Sequence, residues 1–370
     1  MTGATVLDVD QAMALAVERH TAGSLHDARV LYEKVLAVEP EHPAALGSLG
    51  MLHHAMGQPR EALRLLEQAL AVAPEAAGLW MNRGAVERAL GADAEAIAAH
   101  ERAIALAPDL ADACYNLCDL HLAAGRAEAA VRTCEQRLAH APADWRALAF
   151  KAHALEAAGR TADADRLLDH RRFRRTFELK PPKGYPTLAS FNRALADHIL
   201  RHPTLERDPP GRSTRNGYHT GELFRGKQGP MAGFRHLVDK ALGQYRARLP
   251  RDPDHPFVAA APRRLALSSW ALVLESGGHE VAHIHPRGWL SGVYYVALPV
   301  GMGAEDPARA GWLEFGRPTA ELSLPIPPRV QQVAPKEGRL YLFPSYFYHG
   351  TIPFTANRPR ICISFDVCAA

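Results

Sequence analysis

The stretch GQPREALRLLEQALAVAPEAAGLWMNRGAVERALG, residues 57–91, decides the fold of the first half of the chain. It opens on Gly57, closes on Gly91, and holds Ala62 and Pro74 at fixed offsets between them. The pattern extends in both directions. Gly23, Gly57, Gly91, Gly125 and Gly159 stand 34 residues apart; Ala28, Ala62, Ala96, Ala130 and Ala164 keep that interval, and so do Pro40, Pro74, Pro108 and Pro142. Three registers at one period define a structural repeat.

Each unit reads as two helices. An apolar-periodic segment runs into the glycine turn, and a second segment around the alanine ends at a proline that cannot continue it. The small alanine lets the paired helices approach. Leu15, Leu49 and Leu117 in first helices, with Tyr32, Leu66 and Leu168 in second helices, supply a stripe that buries against the next hairpin. Period and offsets resemble the tetratricopeptide (TPR) family, with about five units over residues 7–172. The last unit lacks the closing proline and runs into His170-Arg171-Arg172-Phe173-Arg174-Arg175, which reads as a solvated end-cap and connector. The resemblance implies an α-solenoid whose concave face holds a peptide or another protein. His53, His54, His100 and His121 fall within its helices and read as packing or surface groups; Cys114 and Cys118 read as buried small residues.

Composition sets few limits. With 43 basic and 40 acidic side chains the formal charge is +3, which gives no reason to expect nucleic acid as partner. Five cysteines without a C-x-x-C pair argue against a disulfide framework or a thiolate zinc site, and a reducing cytoplasm fits best. Met1–His20 has no basic flank before an apolar run, so no signal peptide is expected. No stretch approaches about 18 uncharged apolar residues, so neither is a membrane span.

Past about residue 176 the period vanishes, and Lys180-Pro181-Pro182-Lys183-Gly184-Tyr185-Pro186 marks a domain entry. The expected division is therefore residues 1–175 and 176–370. Helical segments are expected over 188–201 and 231–248, with the turn-rich stretch 208–229 between them as a long surface loop. From Arg264 onward the pattern turns strand-like, at 265–274, 289–298, 311–315, 339–343 and 360–367. Short strands at this spacing predict a sandwich or barrel, with the double-stranded β-helix, or jelly roll, as the version that encloses a metal pocket. The whole is a multidomain α + β chain: helical hairpins, then a jelly-roll domain with flanking helices.

Three strings in the second half carry chemistry: His283-Ile284-His285-Pro286, then Ser291-Gly292-Val293-Tyr294-Tyr295-Val296, then Leu342-Phe343-Pro344-Ser345-Tyr346-Phe347-Tyr348-His349 with Arg358-Pro359-Arg360 beyond it. Over roughly residues 185–368 they resemble the TPR-linked 2-oxoglutarate–iron(II) oxygenases of bacteria. The resemblance implies iron(II) and 2-oxoglutarate as cofactors and hydroxylation of an unactivated C–H bond. With a TPR array in the same chain, it points to a peptide or protein side chain as substrate.

Reading the residues agrees with this. His283 and His285 share a strand face, and the bend at Pro286 can turn both imidazoles toward one ion. His349, far downstream, matches the distant histidine of a facial triad. Arg360, eleven residues further on, is placed to take the distal carboxylate of 2-oxoglutarate. The departure from the wider superfamily is His285, which stands where Asp or Glu is usual. Either it replaces that carboxylate as a ligand, or it lines the pocket of a two-histidine site, or the metal is not iron.

Tyr294 and Tyr295 alternate across a strand, so one of them faces the pocket, where it could bond the co-substrate. Ser364 shares the parity of Arg360 and is a further candidate for that carboxylate. Arg215 and Asn216 either contact substrate or form a turn, and the turn is favoured. His279 and Glu280 read as neighbours of the metal pair rather than ligands, because Gly277 and Gly278 suggest a strand not yet begun. Trp270 and Trp289 read as core aromatics. Two other functions stay open: an interaction scaffold with an inactive β domain, and a three-histidine cupin-type metalloenzyme that does not use 2-oxoglutarate.

Overall fold

The repeat glycines fix the helical half. In the computed structural model, which describes residues 7–225, 229–319 and 322–370, Gly23, Gly57, Gly91, Gly125 and Gly159 take φ between 68° and 78°. That left-handed conformation is one that only glycine adopts without strain. The residue after each glycine donates its N–H to the carbonyl five positions back, as in Gln58 to His53 and Arg126 to His121, closing every first helix the same way. The period-setting alanines Ala28, Ala62, Ala96, Ala130 and Ala164 are all fully buried, as helices in close contact require.

The chain divides into two compact units, residues 1–140 and 141–370. The first holds four hairpins: α1 (Val9–Thr21) with α2 (Leu25–Val38), α3 (Pro43–Ala55) with α4 (Pro59–Val72), α5 (Ala77–Ala89) with α6 (Asp93–Leu106), and α7 (Ala111–Ala123) with α8 (Ala127–His140). Among the described residues no helix is long and apolar enough to cross a membrane. The readings of the N-terminus and of the 208–229 loop extend partly over residues 1–6 and 226–228, outside the described residues.

The second unit begins earlier than the end of the 34-residue register suggests, because it takes in the fifth hairpin, α9 (Trp145–Ala157) and α10 (Thr161–Leu167), and the short α11 (His170–Phe173). Trp145 stacks on Tyr346 at 6.0 Å, His153 lies against Tyr348 at 5.5 Å, and the Tyr346 hydroxyl donates to the Leu167 carbonyl. The basic run is correspondingly not a solvated connector. His170 is wedged between Phe347 and Phe315, Phe173 is fully buried, and Arg172 pairs with Asp252 at 3.2 Å.

After β1 (Arg175–Glu178) come α12 (Leu188–Leu200), β2 (Glu206–Arg207), β3 (Thr214–His219), α13 (Pro230–Ala247) and α14 (Pro256–Ala259). There follow β4 (Leu265–Glu280), β5 (Leu290–Ala297), β6 (Leu313–Phe315), β7 (Gln331–Val333), β8 (Arg339–Pro344), β9 (His349–Thr351) and β10 (Arg360–Ala369). A seven-stranded sheet in the order β1-β8-β5-β10-β4-β3-β2 and a three-stranded sheet β7-β6-β9, antiparallel at each pairing of these strands, form a β-sandwich. Helices α12 and α13 cover the outer face of the large sheet. Phe234 meets Tyr294 at 5.1 Å, and the Tyr294 hydroxyl donates to Asn192 at 2.6 Å.

Two expectations need correction. The 208–229 stretch is not all loop: β3 lies within it and pairs with β4. Gly277 and Gly278 do not precede a strand but interrupt one, at a register shift where β4 bulges opposite Asn216. A side chain at Gly278 would meet the Glu275 and Asn216 carbonyls at 2.6 and 2.8 Å, so only glycine fits there.

The fifth hairpin is thus part of the β unit's core. A chain cut at the end of the 34-residue register, leaving 176–370, is expected to fail to unfold cooperatively, whereas 141–370 melts as one unit. Trp145→Ala in the full chain should cost about 3–5 kcal/mol of that unit's stability, read by chemical denaturation; a loss under about 1 kcal/mol would place the hairpin outside the core.

Candidate metal and anion site

Strand alternation builds the pocket. On β10, the central strand between β4 and β5, Arg360, Cys362, Ser364 and Asp366 face a cavity of about 810 Å³. Ile361, Ile363 and Val367, at the intervening positions, are buried. Ser291 and Val293 of β5 and Trp270 and Leu272 of β4 line the same wall, while Leu313, His349 and Thr351 of the small sheet close the other side.

Three histidines converge at one end. His283 reaches His349 through a β-bridge between their backbones, and His285 follows in the segment after β4. One ring nitrogen from each lies within 4.8 Å of the others, and His285 Nε2 is 3.2 Å from His349 Nε2. The opposite nitrogen of every ring is already engaged. His283 Nδ1 contacts the Val281 carbonyl at 2.7 Å, His349 Nδ1 the Phe347 carbonyl at 2.9 Å, and His285 Nδ1 the Asp366 carboxylate at 2.8 Å. Carbonyls and carboxylates only accept, so each Nδ1 carries a proton, and the nitrogen that each ring has left for a ligand is its Nε2.

Burial, then the neighbouring His285, pushes His283 down to about 3. Burial, then His283 and His285, holds His349 well below the usual range. Both rings are therefore neutral at physiological pH. Lone pairs aimed at one point repel unless a cation sits between them. Two nitrogens bound at right angles with bonds of about 2.1 Å lie roughly 3.0 Å apart, close to the 3.2 Å between His285 and His349; the donor set fits a divalent transition metal.

Asp366 is itself held. Ser291 donates to its second oxygen at 2.8 Å, and Ser345 donates to Ser291 at 2.8 Å. A carboxylate behind a histidine fixes the tautomer and raises the ring's basicity.

The other end of the cavity is built for an anion. Arg360 is 1% exposed, yet among the described residues no carboxylate pairs with it; its guanidinium lies over the Tyr295 ring at 4.9 Å and donates to Cys362 Sγ at 3.4 Å. Arg360 Nε, Tyr295 Oη, Thr214 Oγ1 and Glu280 Oε1 are all buried without a hydrogen-bond partner. Thr214 and Glu280 sit opposite each other across β3 and β4, and burial pushes the Glu280 carboxyl up, against a hydrogen bond from Ser213. These are four of the six residues with such groups among the described residues of the unit, and Thr214 with Glu280 and Tyr295 with Arg360 are neighbours.

The structure brings His283, His285, His349, Arg360 and Ser364 to one pocket. It also separates the tyrosine pair: Tyr295 packs against Arg360 and Tyr294 points to the helices, and neither lines the cavity. Arg215 and Asn216 do not line the cavity. They form the bulge, with Arg215 donating to the Arg212 and Thr214 carbonyls, and Arg212 and Ser213 line it instead. Trp289 is a core aromatic, stacked on Phe257 at 4.9 Å, but Trp270 is a pocket wall, stacked between His285 and His219. Asp366 and Thr214 are the groups that sequence reasoning left unassigned, and Glu280, expected only as a neighbour of the metal pair, stands with Thr214 instead. Parity with Arg360 was the available signal for Asp366.

Residues 268–366 match a family model described as "Putative 2OG-Fe(II) oxygenase", and residues 20–82 and 111–136 match tetratricopeptide repeat models. The chain therefore joins N-terminal TPR repeats to a domain of that oxygenase description. No curated protein matches the chain. Similar solved structures include the MamA protein, at 25% identity over 44% of this chain and 88% of that one with a TM-score of 0.39. Another is YrrB, described as a TPR protein with an unusual peptide-binding site, at 19% over 44% and 84% with a TM-score of 0.37. A third is a thermophilic TPR protein of Thermus thermophilus, at 20% over 44% and 89% with a TM-score of 0.36.

A buried cation with no carboxylate at ion-pair distance among the described residues, and only the charge of Glu280 acting on it from further off, is a stability cost that the fold retains. Arg360→Met, which keeps the length and removes the charge, is expected to stabilise the ligand-free protein by about 1–4 kcal/mol, measured by urea denaturation. Destabilisation of that size would mean that the guanidinium is structural.

Proposed function

We propose that the second unit is an iron(II)- and 2-oxoglutarate-dependent oxygenase that hydroxylates a peptide or protein side chain recruited by the TPR array. The observation that carries the reading is the coexistence, in one cavity, of three converging imidazole nitrogens and a buried guanidinium with no carboxylate at ion-pair distance among the described residues. His283, His285 and His349 would hold the metal. Arg360 would receive the distal carboxylate of 2-oxoglutarate, with Tyr295 Oη, Thr214 Oγ1 and Ser364 as nearby hydroxyls. When bound with 2-oxoglutarate and oxygen, iron(II) supplies the oxidising power for inserting an oxygen atom into an unactivated C–H bond, with succinate and carbon dioxide as co-products.

The chain's own residues bind, orient and exclude water. Asp366 holds the His285 ring in its metal-ready tautomer. Trp270, flat against His285, screens one side of the ligand set from solvent. Arg360 fixes the co-substrate at the far end, so that the reacting end is presented toward the histidines. The jelly-roll type of the sandwich and a cytoplasmic location belong to the same reading, the latter resting on the sparse cysteines of the sequence, which hold no C-x-x-C pair.

Anaerobic reconstitution followed by iron analysis and a 2-oxoglutarate-to-succinate assay tests it. One iron per chain and measurable succinate are expected, both lost in His349→Ala. Asp366→Asn should weaken iron binding about 10–100-fold while leaving the fold intact. Arg360→Met should keep iron and lose saturation by 2-oxoglutarate. Iron binding that is indifferent to all three histidines would end the metal assignment, and an Arg360→Met protein that still saturates normally would point to a metalloenzyme of another kind.

A further inference from the structure

The first unit carries a second cavity with a charge of its own. A groove of about 710 Å³ runs between α6 and α8, with α7 as its floor. Its base is apolar, formed by Ile104, Cys114 and Leu117, while Arg126, Arg132 and Arg137 stand along it against a single acidic lining residue, Glu101. Arg126 and Arg132 are exposed, so both guanidinium groups are open to a molecule entering the groove.

His121 is the feature that a merely solvated basic face would not need. It is 6% exposed, lines the groove, and its Nδ1 has no hydrogen-bond partner. Burial, and after it the nearby charges of Arg126 and Arg132, pushes it down to about 4. A neutral, buried ring with an open nitrogen beneath two solvent-facing guanidinium groups is a receptor for a segment that brings both hydrogen-bonding groups and negative charge.

We infer that this groove docks an acidic stretch of a partner protein, with apolar side chains on the Ile104–Leu117 floor and carboxylates against Arg126 and Arg132. The inference rests on the first unit alone and is independent of the oxygenase reading. A nucleic acid fits less well, because the floor is largely aliphatic and the lining holds no Phe, Tyr or Trp on which bases stack.

The test is fluorescence anisotropy on the full-length protein, with a labelled peptide of repeating Glu-Glu-Leu units and matched Gln-Gln-Leu and oligo(dT) competitors. Saturable binding that weakens with salt, and that drops about tenfold or more in Arg126→Ala/Arg132→Ala, is expected. Arg126→Lys/Arg132→Lys should retain most of it, and because both positions are on the surface, circular dichroism should show unchanged helicity in either variant. Equal affinity for the Gln-Gln-Leu peptide, displacement by oligo(dT) at matched charge, or indifference to the double alanine variant each overturns the proposal.

Discussion

The pocket's chemistry depends on where three protons sit. Each imidazole donates its Nδ1–H to a fixed acceptor, and only that arrangement turns three lone pairs to one point. The acceptors are of two kinds. For His283 and His349 the acceptor is the carbonyl two residues earlier in the same chain segment, so local backbone geometry sets the ring. For His285 it is Asp366, brought from the central strand β10. Two of the three orientations are therefore local, and the third requires the sheet to be assembled.

The same dependence explains why a helical hairpin lies inside the β unit. His349 follows directly on Tyr346-Phe347-Tyr348, and those three rings pack on Trp145, His170 and His153. The last hairpin thereby fixes the backbone that delivers the histidine, including the Phe347 carbonyl that sets its tautomer. A boundary drawn where the repeat register ends cuts through this core, because periodicity records how a segment folds and not what it packs against.

Much of the fold was legible in the sequence because its signals are local: glycines at one period need a left-handed turn at each, and apolar alternation marks β4, β5, β8 and β10. The strands that went unread are short or sit in polar surroundings. Thr214–His219 alternates weakly and is held by pairing to β4, and β1 and β7 have four and three residues. At the site, the histidines and Arg360 were readable because their types are rare in such a pattern. Asp366 and Thr214 were not, and Glu280 was readable only as a neighbour of the metal pair, since an acid or hydroxyl at a strand position has many bland uses, and only pairing shows which oxygen is left without a partner. Parity could not choose between Tyr294 and Tyr295 until the helices had claimed one face.

On the proposed reading, the charge balance makes sense of His285. Three neutral histidines would leave a divalent ion with its full charge, and the carboxylate usual at that position stands one hydrogen bond further out, as Asp366. A carboxylate at that remove steers the ring and softens the ion's charge without cancelling it. More of the neutralisation then falls to whatever anion enters the cavity, and the unpaired Arg360 at the far end adds to the same demand. A pocket with a cation site at one end and a buried guanidinium at the other is poorly balanced when empty and well matched to a small dianion spanning the two. A co-substrate that must be replaced at every turnover calls for that imbalance, because a resident counter-ion for Arg360 would have to be displaced each time.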